Sequence, residues 1–320
     1  MIIQNFMPEI GERSVQERIL TCLRAEPKAL PSVFFYDQKG SELFEQITKL
    51  EEYYLPNVEI PLLSSTAKKV NSELKECNLV ELGSGDCSKI SVFLDAVPKD
   101  IRETIIYYPV DVSKDAMEKS GHILQNKFPE IGIHGINSDF IEGMDKIPGD
   151  KNRFFCFFGS TIGNLTPART NEFMERLGNV MDKNDRLLLG VDMVKDINVL
   201  ERAYNDSLGI TAEFNKNILR VANDHIGTDF DPDDFEHVAF FNKELSRIEM
   251  HLKAKRDLVV KSGLFEERFI FKKGETIHTE NSQKYTVQHI YDMANTAGLF
   301  VSDIFSDEKN WFSLAEMVKK

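Results

Sequence analysis

The segment NLVELGSGDC, residues 78–87, decides the fold of this chain. It begins with a short apolar run, and two glycines, Gly83 and Gly85, follow at its end. A helical pattern that includes Phe93 comes next. This order predicts a buried strand, a tight glycine turn and a helix, which is how the ligand-binding end of a doubly wound α/β sheet begins.

The alternation of strands and helices continues along the following hundred residues or so. Buried strands are indicated by TIIYYPVDVS, IGIHGI, RFFCFFGS and RLLLGVDMV, and helical stretches such as PARTNEFMERLGNVM separate them. Such alternation predicts right-handed crossovers and a parallel sheet covered on both faces. We therefore predict an α/β domain over residues 60–195.

The flanking segments show a different pattern. The first segment is mostly helical, as is the stretch from Asn198 to Ile226. Strict alternation in SRIEMHLKAKRDLVV and EERFIFKK predicts antiparallel strands with one solvated face. A helix over 287–297 and two strands close the chain. We predict that residues 1–59 and 196–320 together form a second, discontinuous α+β domain.

Composition excludes several classes of protein. The 320 residues include 39 basic and 52 acidic side chains, a net charge of −13, which argues against a reader of nucleic-acid phosphates. No signal peptide is predicted at the N-terminus, and no apolar run approaches the ~20 residues of a membrane span. The 4 cysteines form no CxxC pair. Free thiols fit a reducing compartment, so we expect a cytoplasmic protein.

The glycine turn favours one class of cofactor. A phosphate loop is excluded, because no GxxxxGK[ST] pattern fits, and the third glycine of a dinucleotide fingerprint is replaced by Ser88. An ExGxG pattern without that glycine is typical of S-adenosylmethionine enzymes, in which no pyrophosphate sits on the helix terminus. A strand-to-helix turn that binds nothing is the alternative.

Acidic residues after the next two strands strengthen the cofactor prediction. Asp111 ends the second strand, where a carboxylate would accept hydrogen bonds from a ribose diol. Its alternative role is to cap the following helix, for which Ser113 competes. Asp139 and Phe140 follow the third strand and offer a carboxylate for an adenine amino group and a ring to cover the base; a plain loop pair is the alternative. Together these features predict S-adenosylmethionine.

No metal site or nucleophile is predicted. The 7 histidines form no HxxxH pair, and the HxE match at His278 lacks the PCxxC of a zinc deaminase. The acidic run 229–233 departs from a calcium loop at its sixth and twelfth positions. A GxSxG elbow is also missing. Methyl transfer needs none of these, because the sulfonium already carries an activated methyl group and the enzyme chiefly aligns the nucleophile.

The motifs taken together resemble a known family. In order, they are FFYDQKGSELFEQIT, LEEYY, LVELGSG, YPVDVS, FFGSTIGNL, LLLGVDMVKD, AYNDSLGITAEFNKNIL, DFDPDDFEHVAFFN, IEMHL and TENSQKY. They resemble the L-histidine Nα-methyltransferase family of ergothioneine biosynthesis, which converts histidine to its trimethyl betaine, hercynine. The resemblance runs from Phe34 to the C-terminus. It implies a Rossmann-like class I methyltransferase domain and a second domain, built from both chain ends, that binds the substrate.

The resemblance also implies roles for individual residues. The positions that match the family's S-adenosylmethionine site are Gly83, Gly85, Lys89, Asp111, Asp139 and Phe140. The amino acid's carboxylate would be held by Asn164, Tyr204 and Tyr53. The pocket around the reacting amino group would be lined by the candidate catalytic residues, Tyr36 and Phe44. The imidazole would be bound by Glu280 and Ser282, with Met250 beside them.

Each of these residues also has an ordinary structural interpretation. Tyr53 could be a core aromatic, Met250 could simply pack on its strand, Asn164 could cap a helix, and Glu280 could be an exposed acid at a strand end.

Three positions depart from the family's commoner pattern. Asn281 adds a polar group beside the predicted imidazole site, Glu51 replaces a common proline, and Asp86 with Cys87 varies the edge of the glycine turn. None of them removes a predicted contact, although Asn281 weakens the case for strict histidine selectivity.

We therefore predict Nα-methylation of histidine, up to the trimethyl product. The alternatives are the same chemistry on another amino acid or an indole amine such as tryptophan, a non-catalytic binding module, and a methyltransferase of proteins or nucleic acids. A binding module would lack the substrate-binding polar residues, and the net charge disfavours nucleic acid. We expect a small-molecule substrate, no nucleic-acid or membrane partner, and a monomer.

Overall fold

The computed structural model describes residues 1–8 and 11–319. The strands are β1 (Ile2–Asn5), β2 (Asn78–Leu82), β3 (Ile106–Asp111), β4 (Gly132–Asn137), β5 (Arg153–Phe157), β6 (Arg186–Asp192), β7 (Phe235–Asn242), β8 (Arg247–Ala254), β9 (Leu258–Ser262), β10 (Glu267–Phe271), β11 (Thr276–Gln283), β12 (Phe300–Ser306) and β13 (Phe312–Val318). The α-helices are α1 (Glu12–Arg24), α2 (Gln38–Ile47), α3 (Leu55–Lys69), α4 (Ser88–Asp95), α5 (Lys99–Arg102), α6 (Lys114–Lys127), α7 (Phe140–Gly143), α8 (Pro167–Val180), α9 (Ile197–Tyr204), α10 (Ile210–Ile226) and α11 (Val287–Thr296). Short 3₁₀ helices lie at Ser32–Phe35, Asn71–Leu74, Met144–Lys146, Thr161–Asn164 and Pro232–Asp234.

The chain divides into two compact units. Unit 1 comprises Met1–Pro8, Leu55–Val194 and Lys284–Lys320, and unit 2 comprises Glu9–Tyr54 and Lys195–Gln283. Over the described residues, no helix has both the length and the apolar character needed to cross a membrane.

Unit 1 is built on an eight-stranded sheet with the order β1-β4-β3-β2-β5-β6-β13-β12. Strands β1 to β6 pair in parallel, and β13 is antiparallel to both of its neighbours. Counted from β2, the parallel strands follow the Rossmann order 3-2-1-4-5, and the order reverses between β2 and β5. Ligands of such sheets bind at the carboxyl ends of the strands beside this switch point. The predicted α/β fold class is confirmed.

The sheet is parallel because both of its faces are covered. All five residues of β2 are buried, as are all five of β5. Successive residues enter opposite cores: Val80 packs with residues of α8 and α11, whereas Leu79 packs with residues of α3 and α4. A strand apolar on both sides is stable only between two helical layers.

The C-terminal segment does not follow the predicted division of the chain. Residues 284–320 were expected in the second domain, but β13 pairs with β6 over Phe312–Val318 and belongs to unit 1. Unit 1 also begins at Leu55 rather than at residue 60, and it includes β1, which pairs with β4. The alternation within a strand indicates its buried side but not its partner, so the assignment depended on the tertiary structure.

Unit 2 combines helices with antiparallel strands. Its three-stranded sheet has the order β11-β8-β7, and β9 and β10 form a separate hairpin, as the alternating pattern predicted. The predicted helical stretch from Asn198 to Ile226 is two helices, because the chain turns at Gly209, where φ is +71°. The Asp206 carboxylate then accepts from the first amides of α10, those of Ile210 and Thr211, at 2.9 and 2.8 Å.

Candidate active site

The glycine turn lies at the carboxyl end of β2, beside the switch point of the unit 1 sheet. Gly83 and Gly85 have φ of +68° and +52°, in the left-handed region that favours glycine. The Gly83 amide donates to the Val110 carbonyl at 2.8 Å. A Cβ built on Gly85 would meet no atom within 4 Å, so the backbone here borders open space that a ligand can approach.

Asp111 joins this turn to the end of β3. Its Oδ2 accepts from the Gly85 amide at 2.9 Å, and its Oδ1 accepts from the Ser113 amide at 2.9 Å. Ser113, not Asp111, caps α6, since its hydroxyl accepts from the Ala116 amide at 3.2 Å. The capping alternative for Asp111 is therefore excluded. Each carboxylate oxygen has a further lone pair for a ribose hydroxyl.

Asp139 and Phe140 follow β4 at the same edge of the sheet. The Asp139 carboxylate caps the short helix α7 by accepting from the Ile141 amide at 2.9 Å, and its other oxygen lies 3.7 Å from the Arg169 guanidinium. Phe140 is half-buried and packs against Phe157, with ring centroids 5.1 Å apart. The carboxylate thus has a structural role of its own, and binding of adenine by this pair stays a prediction.

A buried acid that no sequence motif predicts lies next to Lys89. Glu59 of α3 is 1% exposed, and its Oε1 accepts from the Gly159 amide at 2.5 Å. Its Oε2 is 4.0 Å from the Lys89 ammonium on α4. Burial raises the pKa of Glu59, whereas Lys89 and the Gly159 amide oppose the shift. No motif signals this residue, since an isolated acid in a helix is usually a solvated one.

Glu81, the acid of the ExGxG pattern, is also buried. It accepts a hydrogen bond from the Tyr107 hydroxyl. Burial raises the pKa of Glu81 to about 8, although the Tyr107 hydrogen bond and the Lys89 charge act in the opposite direction. This side chain is enclosed in the core, where its partner is a residue of β3.

Asn164 belongs to unit 1, where it is exposed at the end of the 3₁₀ helix after β5. It does not cap the next helix: the Thr166 hydroxyl does so, by accepting from the Arg169 amide at 3.3 Å. At the start of the same loop, Ser160 has a φ of +54°, and its hydroxyl accepts from the Asp192 amide at 3.0 Å. The capping alternative for Asn164 is therefore excluded as well.

The unit 1 residues fit S-adenosylmethionine. The turn leaves open space at Gly85, Asp111 keeps acceptor capacity for a diol, and Phe140 offers a ring at the next strand end. These are the features that an adenosyl group requires at a switch point.

The remaining predicted residues lie in unit 2, where aromatic rings form one cluster. The Tyr36 ring lies 5.7 Å from Phe44, Phe44 lies 6.3 Å from Tyr53, and Tyr53 lies 6.2 Å from Tyr204, centroid to centroid. Phe214 of α10 contacts Tyr36 at 5.8 Å and Phe44 at 6.0 Å. Phe214 was not predicted as a site residue, although it lies in the quoted segment ITAEFNKN.

Two polar contacts hold the N-terminal part of this cluster in place. Asp37 caps α2 by accepting from the Gly40 amide at 2.7 Å, and the same oxygen accepts from the Asn217 side chain on α10 at 2.8 Å. A Cβ on Gly40 would lie 1.6 Å from the Phe35 carbonyl oxygen, so only glycine fits. The segment YDQKG therefore places Tyr36 and Phe44 on one side of α10.

The predicted imidazole residues come together on two paired strands. Glu280 of β11 pairs with Met250 of β8, and both are buried. Ser282 is two residues further along β11, and its hydroxyl oxygen accepts from the Tyr204 hydroxyl at 2.7 Å. Glu280 is thus not the exposed acid of the alternative interpretation. Tyr204 and Ser282, assigned above to different ends of the substrate, are in direct contact.

Tyr36 is influenced by this group of residues. Burial around the phenol and, next, the charge of Glu280 raise the pKa of Tyr36 above its usual value. The residue as a whole is 46% exposed. Tyr36 stays protonated at neutral pH, and its hydroxyl can exchange hydrogen bonds with an amine but cannot act as a phenolate base.

On the same two strands, Glu249, His251 and His278 place ligand-type atoms within 4.8 Å of one another. The spacing of these residues in the sequence does not predict the cluster, because His278 lies opposite His251 only through the pairing of β11 with β8. The Glu249 carboxylate, however, already accepts from the Arg247 guanidinium at 2.7 Å and from Asn242 at 3.0 Å. Since Arg247 balances this charge, we assign no metal to the cluster.

Known proteins resemble this chain over nearly all of its length. A family model described as "Histidine-specific methyltransferase, SAM-dependent" matches residues 15–319. Histidine N-alpha-methyltransferase of Mycolicibacterium smegmatis is 39% identical over 297 residues, which cover 93% of this chain and 92% of that protein. The protein of the same name from Mycobacterium tuberculosis is 38% identical over 313 residues, 97% of each chain. Ergothioneine biosynthesis protein 1 of Neurospora crassa is 33% identical over 281 residues, which cover 85% of this chain and 31% of that protein. With a family match over nearly all of its length, this chain belongs to the S-adenosylmethionine-dependent, histidine-specific methyltransferases.

Proposed function

We propose that this protein transfers methyl groups from S-adenosylmethionine to the α-amino nitrogen of L-histidine, up to the trimethyl product hercynine. The observation that carries the proposal is the unit 2 cluster, in which Glu280 and the hydrogen-bonded pair Tyr204 and Ser282 accompany four aromatic rings. It is supported by the family match and by relatives named as histidine N-alpha-methyltransferases.

In this proposal, unit 1 holds the cofactor. When bound, S-adenosylmethionine supplies a methyl group on a positively charged sulfur. Asp111 would accept from the ribose hydroxyls, the backbone at Gly83 and Gly85 would border the ligand, and Asp139 with Phe140 would bind the adenine. Lys89 is also proposed to contact the cofactor. The Glu59 carboxylate, 4.0 Å from the Lys89 ammonium, restricts the position of that ammonium.

Unit 2 supplies the groups that recognise the histidine side chain. A neutral imidazole has one donor and one acceptor nitrogen. The Glu280 carboxylate accepts from the first. The Ser282 hydroxyl, whose oxygen accepts from the Tyr204 hydroxyl, is the proposed donor to the second nitrogen. Met250 packs beside the ring. Tyr53 and Tyr204 are the proposed donors to the carboxylate, and Asn164, which belongs to unit 1, is proposed for the same role.

The reacting amine must be neutral, with its lone pair aligned with the methyl group. An α-amino group has a reference pKa near ~8, so it loses its proton to solvent at modest cost. The nitrogen lone pair then forms the new N–C bond while the C–S bond breaks, and its electron pair goes to sulfur. Before each further transfer, the methylated ammonium loses a proton.

Tyr36 and Phe44 are proposed to surround this amine. Because the pKa of Tyr36 is raised, the phenol stays protonated and does not act as a base toward the amine. Its oxygen can still accept a hydrogen bond from the amine. The rings attract the positive charge that grows on nitrogen, since cation–π attraction needs no hydrogen-bond donor on the cation. That property suits a product which ends as a quaternary ammonium.

We also propose that the protein acts in the cytoplasm and as a monomer. Support for the compartment comes from the cysteines, since all four are free thiols.

The test is an incubation of the purified protein with S-adenosylmethionine and each common amino acid separately, with mass detection of one, two and three added methyl groups. We expect histidine alone to reach the trimethyl product. Preferential methylation of tryptophan or another amine would contradict the proposal. Histidine methyl ester provides a second arm: with its carboxylate neutralised, it should react far more slowly than histidine, and equal rates would exclude the carboxylate contacts.

A further inference from the structure

Three polar residues outside the proposed contacts form a chain of hydrogen bonds through the core of unit 2. His237 of β7 lies between the two helices α9 and α10: its Nε2 is 2.8 Å from the Tyr204 carbonyl oxygen, and its Nδ1 is 2.8 Å from the Asn215 side-chain nitrogen. Asn215 is fully buried, and its Oδ1 accepts from the Thr279 hydroxyl at 2.7 Å. Asn215 and His237 lie in motif segments to which no role has yet been given.

The partners determine the protons on Asn215 and His237. The Asn215 nitrogen also donates to the His251 carbonyl at 3.0 Å, and a carbonyl only accepts, so the amide orientation is determined. An amide nitrogen only donates, so His237 Nδ1 must carry a lone pair. The Tyr204 carbonyl only accepts, so Nε2 must carry the proton. The chain is complete only when His237 is neutral and in the Nε2–H tautomer.

Both ends of the chain reach residues of the proposed substrate site. At one end is the backbone of Tyr204, whose hydroxyl donates to Ser282. At the other end, the Thr279 hydroxyl also lies 3.0 Å from the Met250 carbonyl oxygen. Thr279 is the extra residue where the pairing of β11 with β8 shifts register, directly before Glu280. Such bulges set the direction of the neighbouring side chain.

We propose that Asn215, His237 and Thr279 are positioning residues that hold Tyr204, Met250 and Glu280 in the geometry that binds histidine, and that this geometry is lost when His237 is protonated. The inference rests on the proposed function. A proton on Nδ1 would face the N–H of Asn215, so the two donors would separate and the link between His237 and α10 would break.

The surroundings of His237 determine the pH at which it becomes protonated. Burial lowers its pKa most strongly, the Tyr204 carbonyl and the Asp206 carboxylate raise it, and the Lys216 ammonium lowers it. The net direction is downward from the usual value of 6.5. The contact between His237 and Asn215 is therefore expected to break only below pH 6.5.

The test uses His237→Phe, which removes both polar contacts, and His237→Gln, which keeps a donor for the Tyr204 carbonyl but cannot titrate. His122→Gln, on the exposed side of α6 in unit 1, is the matched control. We expect His237→Phe to raise the KM for histidine by roughly tenfold, the scale for a buried carbonyl that loses its partner, with the KM for S-adenosylmethionine unchanged. Thr279→Val should raise the histidine KM in the same way and Thr279→Ser should restore it, which keeps the test open if His237→Phe does not fold.

The pH dependence is read from the ratio of kcat/KM for His237→Gln to that of the wild type, because the titration of the substrate itself cancels in this ratio. The ratio should rise as the pH falls below 6.5. A flat ratio, or a histidine KM unchanged in both His237→Phe and Thr279→Val, would overturn the proposal. An equal rise in the KM for histidine and the KM for S-adenosylmethionine would also overturn it, because it would indicate a general loss of structure. A wild type inactive on histidine would overturn the proposed function as well, whereas active wild type with unaffected variants would overturn this inference alone.

Discussion

Replacing Asp111 tests the cofactor site most directly. In the structure, both carboxylate oxygens already hold backbone amides, those of Gly85 and Ser113, at 2.9 Å each. Asp111→Ala would therefore remove the proposed ribose acceptor and also free the glycine turn. Hydrogen bonds to a charged acceptor contribute about 1.5–3 kcal/mol, so the affinity for S-adenosylmethionine should fall about 10- to 150-fold.

Asp111→Asn separates the two effects. An amide has one accepting oxygen, so its nitrogen must face the N–H of either Gly85 or Ser113. We therefore expect Asp111→Asn to disturb the glycine turn at least as much as Asp111→Ala does. Unlike the alanine variant, it keeps one acceptor for the ribose. Calorimetric titration with S-adenosylmethionine measures the affinity, and Asp115→Ala, in the exposed first turn of α6, is the control. If folded Asp111→Ala binds as tightly as the wild type, Asp111 does not contact the ligand and this reasoning fails.

Three further predictions concern selectivity and stability. Glu280→Leu should lower kcat/KM for histidine much more than for tryptophan, because a site built to hydrogen-bond its ligand loses that discrimination; an unmoved ratio would show that the imidazole is held elsewhere. Lys284→Met should cost about 3–5 kcal/mol in urea unfolding, since it removes the ammonium that lies 2.8 Å from the fully buried Asp192 carboxylate, and a cost below ~1 kcal/mol would contradict this assignment. Glu81 has a folded-state pKa of about 8 against an ordinary value of 4.5, so its contribution to stability is present below pH 4.5 and is lost as the pH rises toward 8. Glu81→Gln should flatten the decline in unfolding free energy between pH 5 and pH 8, and an equal decline in both proteins would show that Glu81 is not its source.

The secondary structure of this chain could largely be predicted because it follows from local patterns. The apolar runs that became β2 and β5 are buried on both sides, as their composition indicated. In the alternating run that became β8, one face is buried and the other is more exposed, as its spacing indicated. The glycine turn could be predicted too, because positive φ restricts the choice of residue at Gly83 and Gly85. The family resemblance added the candidate residues, several of which the fold places side by side in unit 2.

What the sequence by itself determined is therefore the set of elements, the fold class and the segments that carry the chemistry. Only the tertiary structure decided which elements are partners: β13 pairs with β6, far from it in the chain, and the Tyr204 hydroxyl reaches Ser282 across 78 positions. It alone located Glu59 behind Gly159 and connected Thr279 to His237 through Asn215. The physical reason is that periodicity records which side of an element is buried, whereas a hydrogen bond depends on the position and direction of two atoms. These are set only when the elements pack, and a buried polar group then has to find its partner among whichever residues the fold brings within reach.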